Sequence, residues 1–408
     1  MEPNIRIKGF DGDWEERSLG DIYTERNERG NDSLQILSVS IHDGVSDGEL
    51  DEEGLGKVVR RSEDKSTYKH VYEGDLVFNM MRAWQGAIGV VKTEGMISPA
   101  YISAIPNASV YPPFMDYVLR RKEAIDQINN LSYGVTDFRK RLYWDSFVKV
   151  KCHRPSVEEQ KRITDTLESL DRYTLLNQRQ CDDLRELKKY MLQKMFPKDG
   201  EKVPEIRFSG FEGEWEQRKF GEITELKSAS RVHKEEWTSS GVPFYRSSDV
   251  MSAINGIENE KAFISVELYE KLSSVSGKLE KGDVLITGGG SVGNPYIVLN
   301  NEPLYTKDAD LLWIKNQGRF DEYFIYEFFF SPAFRNYLSS ISHVGTIAHY
   351  TITQLSDTPV SLPSKGEQKK IGAYFSQLDS LITHHQRKHD TLLEFKAYLL
   401  QNMFPKEG

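Results

Sequence analysis

The sequence has little cysteine and no long apolar run. Only two cysteines occur in 408 residues, Cys152 and Cys181, and their spacing fits neither a disulfide framework nor a zinc site. No stretch approaches the roughly 20 apolar residues that a membrane-spanning helix needs. The opening MEPNIRIKGFDGDW holds no apolar signal core. The composition therefore predicts a cytoplasmic protein with no metal site, no disulfide and no contact with a membrane.

Motifs of catalysis are also missing. An adenine methyltransferase would need an Asn/Asp-Pro-Pro-aromatic tetrapeptide, and Asn294-Pro295-Tyr296 lacks the second proline. The glycine run at 288–293 lacks the Gly-Lys-Ser/Thr of a phosphate-binding loop. Neither a serine nucleophile elbow nor a His-Glu-x-x-His site occurs. The sequence therefore predicts a chain that catalyses no reaction and binds no cofactor of its own.

Charge of one sign is not dominant along the whole chain. The formal net charge is -9, from 53 Lys and Arg and 62 Asp and Glu, which does not favour a nucleic-acid binder. Residues 120–154, however, hold nine basic and four acidic side chains, and residues 43–53 hold six acids and no base. Because salt confines each charge to about 10 Å, an acidic chain can carry a basic groove. We interpret the acidic run as a charged loop.

An internal repeat is the strongest feature of the sequence. The segment RIKGFDGDWEER at 6–17 returns as RFSGFEGEWEQR at 207–218. Residues 155–200 match residues 363–408 with 22 identities in 46 positions. Between these segments the halves diverge, so that 24–133 and 225–344 share only a skeleton. Like ends with unlike middles predict one scaffold that carries two different binding regions; the alternative is a structural duplication whose parts have drifted unequally.

Two long helices are predicted at 157–196 and 365–404. Each follows a proline, which suits a first helical turn, and each ends at Phe-Pro-Lys, where proline stops the helix. Apolar residues recur in steps of three and four, which is typical of a heptad seam. At about 1.5 Å per residue each helix would be roughly 60 Å long. The seam comprises Ile163, Leu167, Leu170, Asn177 and Leu184 in the first helix, and Ile371, Phe375, Leu378, His385 and Leu392 in the second.

The middle of both seams is polar. Thr174, Asn177 and Cys181 lie on the first seam, and His385 and His389 on the second. If the helices pair antiparallel, the middles meet, and a polar layer there would set the register at some cost in stability. Alternatively, these side chains are solvated where the helices diverge. A metal site at the histidines would lack a third ligand.

The divergent regions are predicted to be mixed α/β. A short glycine-bearing loop follows the helical part of each, and a last strand leads to the proline before the long helix. We expect a turn followed by a strand at 72–78 and at 279–286, and strands at 101–105 and 311–314. We also expect helices at 114–130 and 322–340, and loops at 134–136 and 345–347.

Three duplicated motifs carry a family resemblance. Both halves open with Gly-Phe-x-Gly-x-Trp, continue with Pro-Ser-x-x-Glu-Gln-Lys-x-Ile at 155–163 and 363–371, and end with Met-Phe-Pro-Lys. With these motifs, the chain resembles the specificity (S) subunit of type I restriction–modification enzymes over essentially its whole length. Each motif alone is weak, but the ordered, duplicated set is specific.

The resemblance implies a mixed α/β fold with an internal pseudo-twofold repeat. Two globular target recognition domains, residues 1–154 and 201–362, would be separated by two long antiparallel coiled-coil helices in 155–200 and 363–408. Each domain would read one half of a split target in double-stranded DNA, and the helices would set the length of the unread spacer.

The resemblance also implies partners. Two methyltransferase subunits would dock on the helices, and restriction subunits would join the assembly. S-adenosylmethionine, ATP and Mg would then be bound by those partners. Two other classes remain open: a coiled-coil scaffold that spaces two protein-binding domains, and an RNA binder, which exposed aromatic side chains would favour.

In the first domain, Asn79, Arg82 and Gln85 follow a predicted strand and carry the amide and guanidinium groups that read base edges. Trp84 between them would pack or stack. Phosphate contacts are expected from basic side chains on two loops. The basic residues are Arg139, Lys140 and Arg141 on one loop, which also holds the predicted contact Thr136, and Lys57, Arg60, Arg61 and Lys69 in another cluster.

In the second domain, a glycine-rich loop occupies the place after the strand, and glycine lets a backbone approach DNA closely. Polar loops and lysines complete the set. For every position in both domains, the alternative is an ordinary solvated polar surface. The predicted residues are Arg246, Ser247, Ser248, Lys278, Thr287, Ser291, Asn294, Lys307, Thr346 and His349.

Overall fold

The computed structural model describes residues 1–46, 67–134, 139–308, 310–341 and 349–405. It has the mixed α/β composition that the sequence predicts. The chain divides into two compact units: unit 1 comprises Met1–Leu176 with Lys388–Gly408, and unit 2 comprises Asn177–Arg387. The boundaries between these units fall inside both long helices, and the division into four segments along the chain stays a prediction.

The two long helices are Val157–Lys194 and Lys365–Asn402, with 38 residues each. Each begins where the sequence predicts and ends two residues earlier. The N-terminal halves of both seams are buried: Ile163, Leu167 and Leu170 belong to the core of unit 1, and Ile371, Phe375 and Leu378 to the core of unit 2. Leu184 and Leu392 are half-buried and pack on the cores of units 2 and 1, respectively.

Within unit 2 the two helices run antiparallel. Asn177 contacts His385, and Lys188, further along the first helix, lies 2.7 Å from a carboxylate oxygen of Asp379, which is earlier in the second. Within unit 1, Lys396 bonds Asp171 and lies over the ring of Tyr117. The Asp171–Lys396 and Asp379–Lys188 pairs occupy equivalent positions of the repeat.

The polar middle of the seam is packed in unit 2. Asn177 is 2% exposed, and its Oδ1 lies 3.1 Å from Nδ1 of His385. Cys181 is fully buried, with its Sγ 3.6 Å from Oε1 of Gln386. This arrangement agrees with a polar layer that sets the register rather than with solvated side chains between diverging helices.

Each unit is built around a four-stranded antiparallel sheet with the same strand order. In unit 1 the order is Tyr23–Arg26, Tyr101–Pro106, Leu76–Asn79 and Ile88–Val90. In unit 2 it is Leu226–Ser228, Leu311–Ile314, Val284–Thr287 and Pro295–Ile297. Both inner strands of each sheet are largely buried. The repeat seen in the sequence is therefore also a repeat of topology.

Smaller sheets complete the units. Unit 1 pairs Glu15–Ser18 with Lys151–Arg154, Val39–Ser40 with Gly44–Val45, and Lys69–Val71 with Gly95–Ile97. Unit 2 pairs Glu216–Lys219 with Pro359–Leu362 and has a second four-stranded sheet of Trp237–Thr238, Ala262–Ile264, Val242–Tyr245 and Tyr305–Thr306. The strands Lys151–Arg154 and Pro359–Leu362 lead to the proline before each long helix, as predicted.

The helices at 114–130 and 322–340 were each predicted as one, and this is wrong. The structure has Pro112–Leu119 followed by Lys122–Leu131, and Glu322–Phe328 followed by Pro332–Ile341. Arg121 is extended, with ψ of 152°, and so begins a new helix. Pro332 has no N–H to continue a helix and stands at the start of one. Among the described residues, the other α-helices are Leu19–Ile22, Trp144–Phe147, Phe220–Ile223, Ser247–Asn255, Val266–Ser276 and Ile352–Asp357.

The repeated sequence motifs pack against each other. The ring of Trp14, from the first Gly-Phe-x-Gly-x-Trp, lies 5.9 Å from that of Phe404 at the end of the second long helix. Trp215, from the second motif, lies 6.2 Å from Phe196 at the end of the first long helix. Each tryptophan is 2% exposed. The helix endings and the segment openings therefore repeat together because they form the same contact twice.

The described part of the chain contains no helix that is long and apolar enough to cross a membrane. Nor do its His, Cys, Asp and Glu side chains form a group of three or more that could hold a metal ion.

Candidate nucleic-acid interface

In unit 1, the loop after the strand Leu76–Asn79 has two kinds of side chain: some hold the turn by hydrogen bonds, and others are exposed. Asn79 is buried, and its Oδ1 accepts a hydrogen bond of 3.0 Å from Met81 N. Trp84 is half-buried, and its indole N–H donates to Met81 O at 3.0 Å. Arg82 and Gln85 are exposed. Asn79 and Trp84 therefore hold the turn, while Arg82 and Gln85 extend into solvent, where they can reach a ligand.

A second predicted cluster of unit 1 lies beside this loop. Leu142 N donates to Met80 O at 2.9 Å, which joins the basic segment to the loop. Arg139 and Arg141 are exposed, and Lys140 is half-buried. The structure therefore brings together two sets of residues that are about sixty positions apart in sequence.

Unit 2 repeats this junction with different side chains. Tyr350 N donates to Gly288 O at 2.8 Å, and these residues are the repeat equivalents of Leu142 and Met80. The bond places exposed His349 beside the glycine-rich loop. A Cβ at Gly289 would lie 3.8 Å from Nδ1 of His349 and 2.9 Å from Oδ1 of Asp310. Each unit thus presents a loop after a central strand next to a later segment of the chain.

The glycine-rich loop is held by its own polar groups. Thr287 is fully buried, and its hydroxyl accepts a hydrogen bond of 2.8 Å from Asn294 N. The side-chain amide of Asn294 donates to Ser291 O at 2.7 Å, and Ser291 itself is exposed. Of these three predicted contacts, Ser291 is the most accessible, and Thr287 shapes the loop from inside.

The other predicted residues of unit 2 lie in different surroundings. The Arg246 side chain is bonded to Asp249 at 2.9 Å, and this hydrogen bond raises the pKa of Arg246. Ser247 is buried and donates to Asp310 O at 3.1 Å, which connects it to the loop. Ser248 is exposed. Lys278 pairs with Glu270 at 2.9 Å, and Lys307 lies 3.5 Å from Asp310.

Some predicted positions cannot be placed. Several predicted contacts and most of the acidic run lie outside the described residues; the contacts are Lys57, Arg60, Arg61, Thr136 and Thr346. Lys69 is half-buried and donates to Tyr101 O at 3.1 Å.

Three residues at these loops were missed in the sequence. Tyr133 is exposed, and its ring centre lies 4.9 Å from that of Tyr143, with the two rings tilted by 32°, beside the basic segment of unit 1. Asp310 and Arg335 adjoin the glycine-rich loop of unit 2. No local pattern distinguishes Asp310 or Arg335, because each reaches the loop from another element. Tyr133 could have been found as an aromatic residue directly before the glycine of a predicted loop.

The chain is similar in sequence to a known domain family and to two named relatives. Residues 212–394 match the family described as type I restriction modification DNA specificity domain. A Haemophilus influenzae protein named "putative type I restriction enzyme specificity subunit" is 26% identical over 164 residues, which cover 40% of this chain and 39% of that protein. The MjaVIII specificity subunit of Methanocaldococcus jannaschii is 22% identical over 296 residues, which cover 70% of this chain and 68% of the relative.

Solved structures show the same fold. The S subunit of a type I restriction-modification system from M. genitalium aligns over 100% of both chains with a TM-score of 0.58 at 13% identity. A chain from a study of assembly and conformational transition of the type I R-M system covers 98% of this chain and 99% of its own, with a TM-score of 0.51 and 18% identity. The matched domain is that of a DNA-specificity family, and the solved structures share the fold of this chain. The chain therefore resembles type I restriction–modification specificity subunits in sequence and in fold, as the repeated motifs predicted.

Proposed function

We propose that this chain is a non-catalytic specificity subunit that recognises a split target in double-stranded DNA, one half with each unit. The observation that carries the proposal is the repeated junction of loop and later segment. In unit 1 it presents Arg82, Gln85 and basic side chains; in unit 2 it presents glycines, Ser291 and His349. A split asymmetric target requires two different readers on equivalent scaffolds, and this arrangement supports that requirement.

The proposal includes two methyltransferase subunits docked on the long helices. Support comes from exposed apolar side chains on these helices that recur at the spacing of the repeat. Tyr173, Phe395 and Tyr398 in unit 1 correspond to Leu381, Leu187 and Tyr190 in unit 2. Exposed apolar side chains that lie close together are typical of interaction sites. Two equivalent sets favour one kind of partner bound twice.

In this assembly, methyl transfer and ATP-dependent cleavage belong to the methyltransferase and restriction subunits, which would bind S-adenosylmethionine, ATP and Mg. The chain supplies only the sequence preference. Its two recognition sites, joined in one molecule, increase affinity through effective concentration.

The test is co-expression with a cognate methyltransferase subunit. Native mass spectrometry should find one specificity chain with two partners, and methylome sequencing of these cells should find one bipartite motif. DNA affinity should fall steeply with salt. A 1:1 complex or a continuous motif would contradict the split-target proposal, and affinity for duplex DNA that does not depend on salt would favour a protein scaffold.

A further inference from the structure

Arg335 in unit 2 is a half-buried cation without an acidic partner among the described residues. It lies on the helix Pro332–Ile341, and its guanidinium carbon is 5.4 Å from the ring centre of Phe330 and 5.8 Å from that of Phe334. Burial lowers the pKa of Arg335. Because arginine nevertheless remains protonated, a positive charge persists there that pairs with no carboxylate in the described part of the chain.

A hydrogen bond joins the guanidinium group of Arg335 to the glycine-rich loop. An Nη of Arg335 donates to Oδ1 of Asn294 at 3.1 Å. A Cβ at Gly293, whose φ is 79°, would lie 3.4 Å from the other Nη of Arg335 and 2.6 Å from Leu338. Only glycine therefore allows the loop to pack so closely on this helix. Asn294 also holds the loop through Ser291, so that the loop and the guanidinium are positioned together.

In unit 1, the positive charge at the equivalent loop comes from a different element. Gly86 follows its loop, and a Cβ there would lie 3.3 Å from Ile125. Ile125 is the fourth residue of the helix Lys122–Leu131, as Arg335 is the fourth residue of its helix. Unit 1 has a basic side chain on the loop itself, the exposed Arg82, whereas the loop at 288–293 has none. An arginine thus adjoins this loop in both units, on the loop itself in unit 1 and on the helix Pro332–Ile341 in unit 2.

We propose that Arg335 provides the positive charge with which the loop at 288–294 binds a DNA phosphate. This inference rests on the proposed function. Arginine has five N–H donors, and among the described residues only Asn294 accepts one of them from Arg335. A phosphate oxygen is the acceptor that suits a planar guanidinium, and the glycines allow the DNA backbone to approach. The contact positions the duplex and reads no base.

The experiment uses the full-length chain and a 60-base-pair duplex pool of random sequence, with affinity measured over a series of KCl concentrations. The variants are Arg335→Met, Arg335→Lys and, as a charge-matched control, Arg218→Met. Arg218 is exposed and paired with Glu216 on the strand Glu216–Lys219. We expect Arg335→Met to bind about 10-fold more weakly and to reduce the slope of log affinity against log salt by about 0.9.

Arg335→Lys should keep most of the slope, and Arg218→Met should behave as wild type. An unchanged slope in Arg335→Met, with wild-type binding intact, would overturn the inference alone. So would an equal loss of affinity in both Arg335 variants accompanied by a lower thermal midpoint, which would mean a structural role. A changed half-site in sequences selected from the pool would mean base reading. If wild type does not bind the pool in a salt-dependent manner, the proposed function itself fails.

Discussion

Nε of Arg207 lies 2.7 Å from Oε1 of Glu367, a carboxylate that is 1% exposed at the start of a long helix. The same guanidinium donates to Gly213 O at 2.6 Å, and the hydrogen bond with Glu367 raises the pKa of Arg207. In unit 1, Arg6 and Glu159 form the equivalent pair at 2.8 Å. In each unit, this pair fastens the Gly-Phe-x-Gly-x-Trp segment to the long helix that begins in that unit.

We therefore expect Arg207→Met to destabilise unit 2 by roughly 3 kcal/mol, because it leaves Glu367 buried and unpaired. Urea unfolding followed by tryptophan fluorescence would measure this change. Glu367→Gln should cost less, because the charge that it leaves unpaired, that of Arg207, is partly exposed and the amide oxygen can still accept its hydrogen bond. Arg6→Met is the matched variant and should have a similar effect on unit 1; an unaltered unfolding midpoint in both arginine variants would show that these pairs do not fasten the segments.

Glu327 should make the stability of unit 2 depend on pH. Its Oε1 accepts from Lys188 Nζ at 2.9 Å, and Lys188 also binds Asp379. Burial raises the pKa of Glu327 from 4.5 to about 8, against the opposing effect of Lys188. The folded state therefore holds a proton that the unfolded state releases, so this contribution is complete below about pH 4.5 and is lost as pH rises through about 8.

The slope should reach at most about 1.4 kcal/mol per pH unit. Glu327→Gln should remove this dependence in chemical unfolding measured between pH 5 and 8, a window chosen from these pKa values. Unit 1 serves as the control. Tyr117 lies at the place equivalent to Glu327, donates to Asp171 at 3.0 Å and has no carboxyl group of its own. Identical pH profiles for wild type and Glu327→Gln would refute the prediction.

Arg82→Ala should relax recognition of only one half of the target. The side chain is exposed on the loop of unit 1, and loss of an arginine contact with a base costs about 1–3 kcal/mol of discrimination. Methylome sequencing of cells with the variant would show the degenerate position. Arg17→Ala, which removes an exposed arginine paired with Glu15, is the control and should leave the motif intact. Equal loss in both halves would place Arg82 elsewhere in the mechanism.

Tyr190→Glu and Tyr398→Glu should each remove one docked partner. These tyrosines are 50% and 53% exposed and occupy equivalent positions of the repeat. A buried charge in an apolar interface is strongly unfavourable. Native mass spectrometry should therefore detect one methyltransferase subunit in each single variant and none in the double variant. Leu175→Glu is the control, since Leu175 is also exposed but its repeat equivalent is Thr383. Two bound partners in all variants would exclude this surface.

A heptad inserted in both long helices, after Cys181 and after Gln386, should lengthen the spacer of the target and leave both half-sites unchanged. Seven residues preserve the seam and add about 10 Å, or about three base pairs. Methylome sequencing would report the new spacing. The same insertion in one helix alone should misalign the seam and reduce thermal stability. A variant with an altered half-site would contradict a purely spacing role.

Local patterns were enough to predict three features from the sequence alone. These are the repeat, the approximate limits of the long helices and the strand before each proline. Heptad spacing and proline act over a few residues, so these features are readable without a structure. The same reasoning missed the breaks before Lys122 and Pro332, where a continuous apolar pattern conceals two short helices.

Only the tertiary structure decided which residues meet at each loop. Met80 contacts Leu142, and Arg335 reaches Asn294, because packing of the sheet and helices brings distant segments together. No periodicity records such a contact, since it depends on the shape of the whole core. The burial of Glu327 beside Lys188 has the same origin: in sequence it is one acid in an aromatic helix, and only its neighbours from other elements make it a partner of that lysine.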